Sequence, residues 1–266
     1  MAAVRRYLSS IRTDLLAACL EFVGTILFLV LGMGGIQAAA FSTHMEAAVE
    51  EAAMPNYPQA LNQFASVEQL LYISVSMGFA LLASAWLFFR ITGGVFNPQV
   101  SLALLLSGCI SPIRFALFLI AQLGGSIVAS YLLRVLTPGP LFVNVGLGPN
   151  VTKAQGVFVE AIATSALVFS VQMLAAEKHR STAIAPIGIG LTLLATHMFA
   201  VVYTGAALNS ARAFGPAVVS GFAGDHWVYW VGPTIGCLIS TTLYSTLKQC
   251  VTSSPTNDSD IIAMQS

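Results

Sequence analysis

The chain alternates between long runs of apolar residues and short polar connections. Six runs are about 20 or more residues long: 15–40, 70–89, 113–136, 156–176, 183–203 and 227–247. A helix needs about 20 apolar residues to cross the hydrocarbon core of a bilayer, which is about 30 Å thick. The pattern therefore predicts six membrane-spanning helices.

Two further apolar runs are about half that length. They cover 96–106 and 208–219, and each follows a glycine-containing turn, Gly93-Gly94 in the first case and Gly205 in the second. Runs of this length are typical of re-entrant segments that enter a membrane without crossing it. With the six spans they predict an all-α integral membrane protein that contains two re-entrant half helices.

The two short runs belong to an internal repeat. Residues 92–100 (TGGVFNPQV) have a counterpart in residues 204–212 (TGAALNSAR), and Glu21 with Thr25 has a counterpart in Glu160 with Thr164. Each half, about 15–136 and about 154–247, holds three spans. An odd number of spans places the two halves in opposite orientations, and inverted repeats of this kind bind or conduct solutes near the membrane midplane.

The chemistry expected at the midplane follows from the half helices. Their N-termini present unpaired backbone N–H groups and the positive end of the helix dipole. Asn97 and Asn209 stand at these two starts, and their side-chain amides supply hydrogen-bond donors and acceptors. Such a site suits a neutral polar solute and opposes cations and protons. The repeat therefore predicts a pore for neutral solutes.

Composition agrees with a membrane protein and excludes several other classes. Hydrophobic residues make up 56% and charged residues 8% of the 266 positions, and the mean hydropathy is +0.81. The net charge is zero, which gives no reason to expect a nucleic-acid partner. The four cysteines have no metal-ligand spacing, and no catalytic dyad is evident. We expect no enzyme activity, no metal and no cofactor.

The basic residues predict the orientation in the membrane. Most of them fall on one side if six spans are counted, and that side is expected to be cytoplasmic. A cytoplasmic segment 1–14, a channel domain 15–248 and a cytoplasmic tail 249–266 follow, with the plasma membrane as the expected location. An acidic loop that holds Glu46, Glu50 and Glu51 lies on the other side, as does a glycosylation sequon at Asn150.

The chain resembles the aquaporin (major intrinsic protein) family over nearly all of residues 12–248. The most similar segments are residues 88–94 (FFRITGG) and 211–217 (ARAFGPA), and the sequence is most similar to those of fungal water channels. The resemblance implies passive conduction of water, driven by osmotic gradients, and a homotetramer with one pore in each subunit.

Two departures from the family occur at the half-helix starts. The family has Asn-Pro-Ala at both, whereas this chain has Asn97-Pro98-Gln99 and Asn209-Ser210-Ala211. Serine is well tolerated at a helix start, although it gives up the preset φ of proline. Gln99 replaces a small residue where the family's half helices pack together, so we expect its volume to strain or displace that junction.

The resemblance also implies the narrow selectivity filter and the groups that support it. Counting from the asparagines places the filter at Met77, His197, Ala206 and Arg212. Glu21 and Glu160 are expected to accept backbone N–H bonds from the re-entrant loops. Glycerol-conducting relatives have Asp after the filter arginine, but this chain has Ala213, which favours water. Ala206 offers no thiol, so mercurial block at that position should be weak.

Two alternatives stay open. Met77 stands where an aromatic residue is common, and its flexible side chain favours a less sharply defined aperture. That motivates a channel for another small neutral solute, such as hydrogen peroxide, ammonia or glycerol. The altered motifs at Gln99 and Ser210 motivate a non-conducting homologue that serves a structural purpose.

Overall fold

The computed structural model describes the backbone of residues 2–53, 65–177 and 180–253, and the side chains of residues 11–45, 65–177 and 181–250. The described residues form eight α-helices and no β-strand. The helices are α1 (Ala2–Ala53), α2 (Val67–Phe88), α3 (Pro98–Leu106), α4 (Pro112–Leu136), α5 (Lys153–Val171), α6 (Ala185–Thr204), α7 (Ser210–Ser220) and α8 (Val228–Ser253). A π-helical turn, Gln172–Ala176, prolongs α5.

The predicted fold class is confirmed. Within the described residues, five segments are long and apolar enough to cross a membrane: Ile11–Met45, Val67–Phe88, Pro112–Leu136, Lys153–Ala176 and Ser181–Thr204. The sixth long helix, α8, has 26 residues and carries more hydroxyl side chains than the others. The two short helices, α3 and α7, have 9 and 11 residues and are the re-entrant half helices.

Three predicted boundaries differ from the structure. Both half helices begin two residues later than their apolar runs, at Pro98 and Ser210, because the preceding asparagine caps each helix from an extended conformation. The acidic segment predicted as a loop after the first span is helical as far as Ala53. Its alanines and glutamates are strong helix formers and no glycine or proline interrupts them. Residues 54–64 and 254–266 of the predicted loop and tail lie outside the described residues.

The helices pack as two similar triplets. In the first half α1 contacts α2 and α4, and in the second half α5 contacts α6 and α8. The halves join where α2 packs on α6 and where the half helices reach across, α3 to α8 and α7 to α4. The α4–α7 contact is close enough that a Cβ on Gly215 would lie 2.2 Å from Ser126 Oγ, so any larger residue there would push the helices apart.

The distribution of apolar and polar side chains is that of a protein surrounded by lipid. Large apolar side chains are exposed on every long helix, for example Leu16, Phe79, Ile120, Phe158 and Ile239. Polar side chains are instead buried between the helices; examples are Glu21, Gln37, Gln122, Glu160 and Gln172. The apolar exterior suits hydrocarbon, and the buried polar groups identify the interior where a functional site is to be sought.

The face that carries the start of α1, here the amino-terminal face, also carries two ion pairs. Arg114 at the start of α4 contacts Asp14 of α1, with 2.6 Å between Nη2 and Oδ1. Lys248 of α8 contacts Glu177, with 2.7 Å between Nζ and Oε1, and the Tyr244 hydroxyl donates to the same carboxylate. The Lys248 ammonium and then the Tyr244 hydroxyl lower the pKa of Glu177. These contacts tie α1 to α4 and the end of α5 to α8.

Candidate functional site

The half helices α3 and α7 meet with their N-termini facing each other inside the helix bundle. Asn97 caps α3, its Oδ1 accepting from Gln99 N at 2.8 Å and Val100 N at 3.4 Å. Asn209 caps α7 in the same way, accepting from Ala211 N at 2.9 Å and from Arg212 N at 3.2 Å. These bonds satisfy N–H groups that a helix start otherwise leaves unpaired. The oxygen of each amide is thereby committed to its own helix.

The nitrogen of each asparagine amide reaches the opposite half. Asn97 Nδ2 donates to Leu208 O at 2.9 Å, and Asn209 Nδ2 donates to Phe96 O at 2.8 Å. Each Nδ2 carries two hydrogens, so each has a second N–H beyond this cross-bond. Both asparagines line the central cavity. The arrangement therefore aligns two amide donors at the junction of the two halves.

The residue before each asparagine adopts an unusual backbone conformation. Phe96 has a φ of 49° and Leu208 a φ of 52°, which lie in the left-handed region that side chains other than glycine rarely adopt. Such residues cost about 1–3 kcal/mol each and persist only where surrounding contacts hold them. The matching strain in the two halves marks both turns as parts of one site.

Two buried glutamates hold these strained turns. Glu21 accepts from Val95 N at 3.1 Å and from Phe96 N at 2.9 Å. Glu160 accepts from Ala207 N at 2.9 Å and from Leu208 N at 2.8 Å. A threonine hydroxyl also donates to each carboxylate at 2.6 Å, Thr92 to Glu21 and Thr204 to Glu160. Both side chains are 0% exposed, neither lines the cavity, and their hydrogen bonds hold the re-entrant loops.

A cavity of about 470 Å³ extends from the amino-terminal face to the junction of the half helices. Residues 92–95 of the first re-entrant turn line it, together with Asn97, Asn209 and apolar side chains of α2, α5 and α6. Arg114 and Arg212 are the charged side chains among the described lining residues. Their positive charge adds to that of the two helix N-termini, so the cavity repels cations.

The four predicted filter residues are all buried, but the structure brings only two of them to the cavity. Met77 and Arg212 line it, whereas His197 and Ala206 are 0% exposed and do not. Arg212 Nη1 donates to Val143 O at 2.7 Å. The Nδ1 atom of His197 lies 3.0 Å from Leu193 O, which can only accept, so Nδ1 carries the hydrogen.

Two polar atoms of this region have no protein partner. Among the described residues, neither Nε of Arg212 nor Nε2 of His197 forms a hydrogen bond to the protein. Buried polar atoms in proteins are nearly always paired with protein or water. With the hydrogen on Nδ1, His197 Nε2 is an acceptor, while Arg212 Nε is a donor. The pair is thus suited to a solute that both donates and accepts hydrogen bonds.

Gln99 is accommodated at the junction, contrary to the expectation that its volume would strain or displace the junction. It is 4% exposed, and its amide forms two hydrogen bonds with Ser210 of the other half helix. The asparagine cross-bonds on either side keep ordinary lengths of 2.9 and 2.8 Å. The extra volume occupies space next to Ser210, where the chain has no proline ring.

The model of the major intrinsic protein family matches residues 8–244, which is most of the chain. The chain belongs to the major intrinsic protein family. It is 56% identical over 236 residues to an aquaporin of Laccaria bicolor. The aligned region covers 88% of the chain and 72% of that relative. It is 41% identical over 238 residues to an aquaporin of Botryotinia fuckeliana, and that aligned region covers 89% of the chain and 50% of the relative.

A solved structure supports the fold separately. The aquaglyceroporin of Plasmodium falciparum superposes with a TM-score of 0.64 over 87% of the chain and 94% of its own, at 18% identity. At that identity the likeness concerns the fold alone. Membership of the major intrinsic protein family makes the chain an integral membrane channel for water or small solutes. The predicted resemblance to fungal members is confirmed.

The sequence interpretation missed three glutamines that support this channel. Gln122 Nε2 donates to Glu21 Oε2 at 3.1 Å and to Ser101 Oγ at 3.0 Å, which joins α4, α1 and α3. Gln37 binds Pro140 O and Phe142 N, and so holds the loop whose Val143 O accepts from Arg212. Gln172 connects α5 to α3 and α8. Each is a lone large amide within an apolar helical run, and that signal was available in the sequence.

Proposed function

We propose that the chain conducts water passively along osmotic gradients. The observation that carries this proposal is the set of hydrogen-bonding groups along the passage that the cavity forms: Asn97, Asn209 and Arg212 line it, and Nε of Arg212 and Nε2 of the buried His197 have no protein partner among the described residues. Water donates and accepts hydrogen bonds, carries no charge and is small enough for such a passage. In this proposal Glu21 and Glu160 support the two turns and contact no solute.

The bulk of the filter groups supports water over larger polyols. The Arg212 guanidinium lines the cavity, the His197 imidazole is buried, and both are bulky groups. Selectivity in channels of this kind depends on pore diameter, on the hydrogen-bonding groups that line the pore and on electrostatic barriers. Arg212 supplies all three, because it narrows the passage, donates hydrogen bonds and carries a positive charge.

The test is osmotic shrinkage of liposomes that contain the purified protein, followed by stopped-flow light scattering. We expect fast shrinkage with a low activation energy, as for water that moves through a continuous aqueous path. Empty liposomes and liposomes with an unrelated membrane protein are the controls. Shrinkage no faster than in empty liposomes would refute water conduction and favour a non-conducting structural role.

Replacement of Met77 separates water conduction from conduction of another small neutral solute. Met77 lines the cavity, and its sulphur atom lies close to Gly32 of α1. A rigid ring in Met77→Phe is expected to lower glycerol and urea flux severalfold while water flux changes by less than about twofold, because a planar ring defines the aperture more sharply than a flexible thioether. Solute and water fluxes are measured on the same vesicles. Unchanged fluxes for every solute would remove Met77 from the selectivity filter.

Thiol reagents are expected to block the channel from the amino-terminal face. Cys109 is exposed and lines the cavity next to Ile110 and Arg114, whereas Cys19, also exposed, does not line it. A bulky charged thiol reagent added on that face should remove most of the water flux of the wild type. Cys109→Ser should be insensitive and Cys19→Ser should be blocked like the wild type. Block that persists in Cys109→Ser would place the reactive thiol elsewhere.

Orientation, assembly and location complete the proposal. The amino-terminal face carries Arg12, Arg90, Arg114 and Lys248, and the opposite face carries fewer basic residues near the helix ends. The excess of basic residues supports a cytoplasmic location for that face and for both termini. Asn150 lies exposed in the connection from α4 to α5, on the face that this orientation makes exterior. A homotetramer in the plasma membrane is the assembly expected of the family.

A further inference from the structure

The two residues that depart from the family's Asn-Pro-Ala motifs contact each other. Gln99 is the second residue of α3 and Ser210 the first residue of α7, and they are 111 positions apart in the chain. Gln99 Nε2 donates to Ser210 Oγ at 2.7 Å, and Ser210 N donates to Gln99 Oε1 at 3.0 Å. Both side chains are buried. The amide and the serine therefore form a two-bond link between the half helices.

The chemistry of this link requires both departures at once. Proline at position 210 would have no N–H for Gln99 Oε1, and its ring would occupy the place of the hydrogen that now faces that oxygen. Alanine at position 99 would leave Ser210 N–H, one of the orphan donors of a helix start, buried without an acceptor. A backbone N–H can only donate, so the orientation of the Gln99 amide is fixed by its partner.

The link extends beyond the two half helices. Ser210 Oγ accepts from Gln99 and donates to Tyr229 O at 2.8 Å, in α8. The Tyr229 hydroxyl in turn donates to Thr204 O at 2.9 Å, at the end of α6. The hydroxyl of Ser210 and the side-chain amide oxygen Oε1 of Gln99 thus both have hydrogen-bond partners. A buried polar network whose members are satisfied adds rigidity, whereas a partly satisfied one destabilises.

The position of the link gives it a functional consequence. Gln99 and Ser210 do not line the cavity, but Asn97 and Asn209 do. Gln99 lies two residues after Asn97, and Ser210 directly follows Asn209. The cross-bonds of Asn97 and Asn209 run between the same two segments. The separation of the helix starts therefore sets the direction of the second N–H of each asparagine into the passage.

We propose that Gln99 and Ser210 are a matched pair of positioning residues that fixes the two asparagine donors for conduction. The pair joins the two half helices by hydrogen bonds at the positions where the chain departs from Asn-Pro-Ala. The inference rests on the proposed water conduction for its functional part. Its structural part, the energetic coupling of residues 99 and 210, is independent of the solute.

The test is a double-mutant cycle of Gln99→Ala, Ser210→Pro and the double variant, with two measurements on purified protein. Each single variant is expected to lower the midpoint of thermal unfolding in detergent by roughly 5 °C, because a buried donor or acceptor loses its partner. The double variant, which restores the family motif, is expected to unfold no lower than either single variant, because beyond the pair itself it loses only the bond from Ser210 Oγ to Tyr229 O. Gln99→Met is the matched control, since it keeps the side-chain volume without the hydrogen bonds and should resemble Gln99→Ala.

The second measurement distinguishes positioning from stability alone. Proton flux and water flux are compared in liposomes for the wild type, Gln99→Ala, Ser210→Pro and the double variant. Misplaced asparagine donors are expected to raise the ratio of proton to water flux severalfold in each single variant and to leave it unchanged in the double variant. A purely structural role would lower both fluxes together and leave the ratio constant, which would overturn the positioning role.

The two proposals fail in different ways. Additive changes in the unfolding midpoint, with the double variant worse than either single variant, would overturn the pairing whatever the channel conducts. Absence of water flux in the wild type would instead refute the proposed function, and the unfolding cycle would still test the coupling of residues 99 and 210.

Discussion

Arg212→Val is expected to open the channel to glycerol and to cations. The guanidinium is 2% exposed, lines the cavity and is held by Val143 O at 2.7 Å. Valine removes both its bulk and its charge. At an effective dielectric constant of about 20, a unit charge about 4 Å away raises the energy of a passing cation by about 4 kcal/mol. Since about 1.4 kcal/mol corresponds to a factor of ten, cation flux is expected to rise by up to about a thousandfold.

The measurement combines glycerol uptake with proton and potassium flux in liposomes. Arg212→Lys is the matched control, because it keeps the positive charge but loses the planar guanidinium group and its set of N–H donors. It should still exclude cations while its glycerol flux rises, which separates the electrostatic barrier from the steric one. If Arg212→Val excludes glycerol and cations as well as the wild type does, the filter lies elsewhere in the passage.

Much of this architecture could be predicted from the sequence because it depends on local signals. Run length predicted the spans and the half helices, and the position of each asparagine after a glycine-containing turn predicted the two helix starts. The glycines themselves have a physical reason. Gly94 has a φ of 62°, and a Cβ there would lie 2.8 Å from the backbone of Ala85 in α2, so only glycine fits this turn.

The sequence could not predict contacts that depend on the packing of distant segments. Gln99 and Ser210 stood out as two separate departures, and from volume alone Gln99 was expected to strain the junction. The pairing became visible only when the inverted halves placed these residues side by side. For the same reason counting from the asparagines gave four filter positions but not their exposure: Met77 and Arg212 reach the cavity, and His197 and Ala206 do not.

The supports of Arg212 show how far from the passage its position is controlled. Gln37 of α1 donates to Pro140 O at 2.9 Å and accepts from Phe142 N at 2.8 Å, and the ring of His44 stacks on Phe142 with 4.4 Å between centroids. The next residue, Val143, accepts the bond from Arg212. The loop between α4 and α5 therefore carries the constraint from α1 to Arg212, and under the proposed function its conformation contributes to selectivity.

Glu160→Ala is expected to destabilise the second half of the channel and to abolish conduction. The carboxylate accepts from the Thr204 hydroxyl and from the backbone N–H groups of Ala207 and Leu208, all of which are buried. Alanine leaves the two backbone N–H groups without acceptors, at about 1–3 kcal/mol each, and leaves the Thr204 hydroxyl only a long bond of 3.4 Å to Ala200 O. The sum is comparable to the whole stability of many domains. Leu208 would also lose the bond that holds its left-handed φ of 52°, so Asn209, which follows it, would leave its position at the cavity wall.

Thermal unfolding in detergent and water flux in liposomes measure this effect together. Glu160→Gln keeps the shape and one acceptor oxygen. Its NH₂ group, however, would face one of the groups that now donate to the carboxylate, so its loss of stability should be intermediate. Glu177→Gln is the control for removal of a carboxylate as such. Its ion pair with Lys248 is partly exposed, and such pairs contribute about 0–1 kcal/mol. Equal unfolding temperatures for Glu160→Ala and Glu177→Gln would contradict the support role. A large loss at Glu160 with none at Glu177 would mean that the loss comes from the re-entrant turn that Glu160 holds, and not from removal of a carboxylate as such.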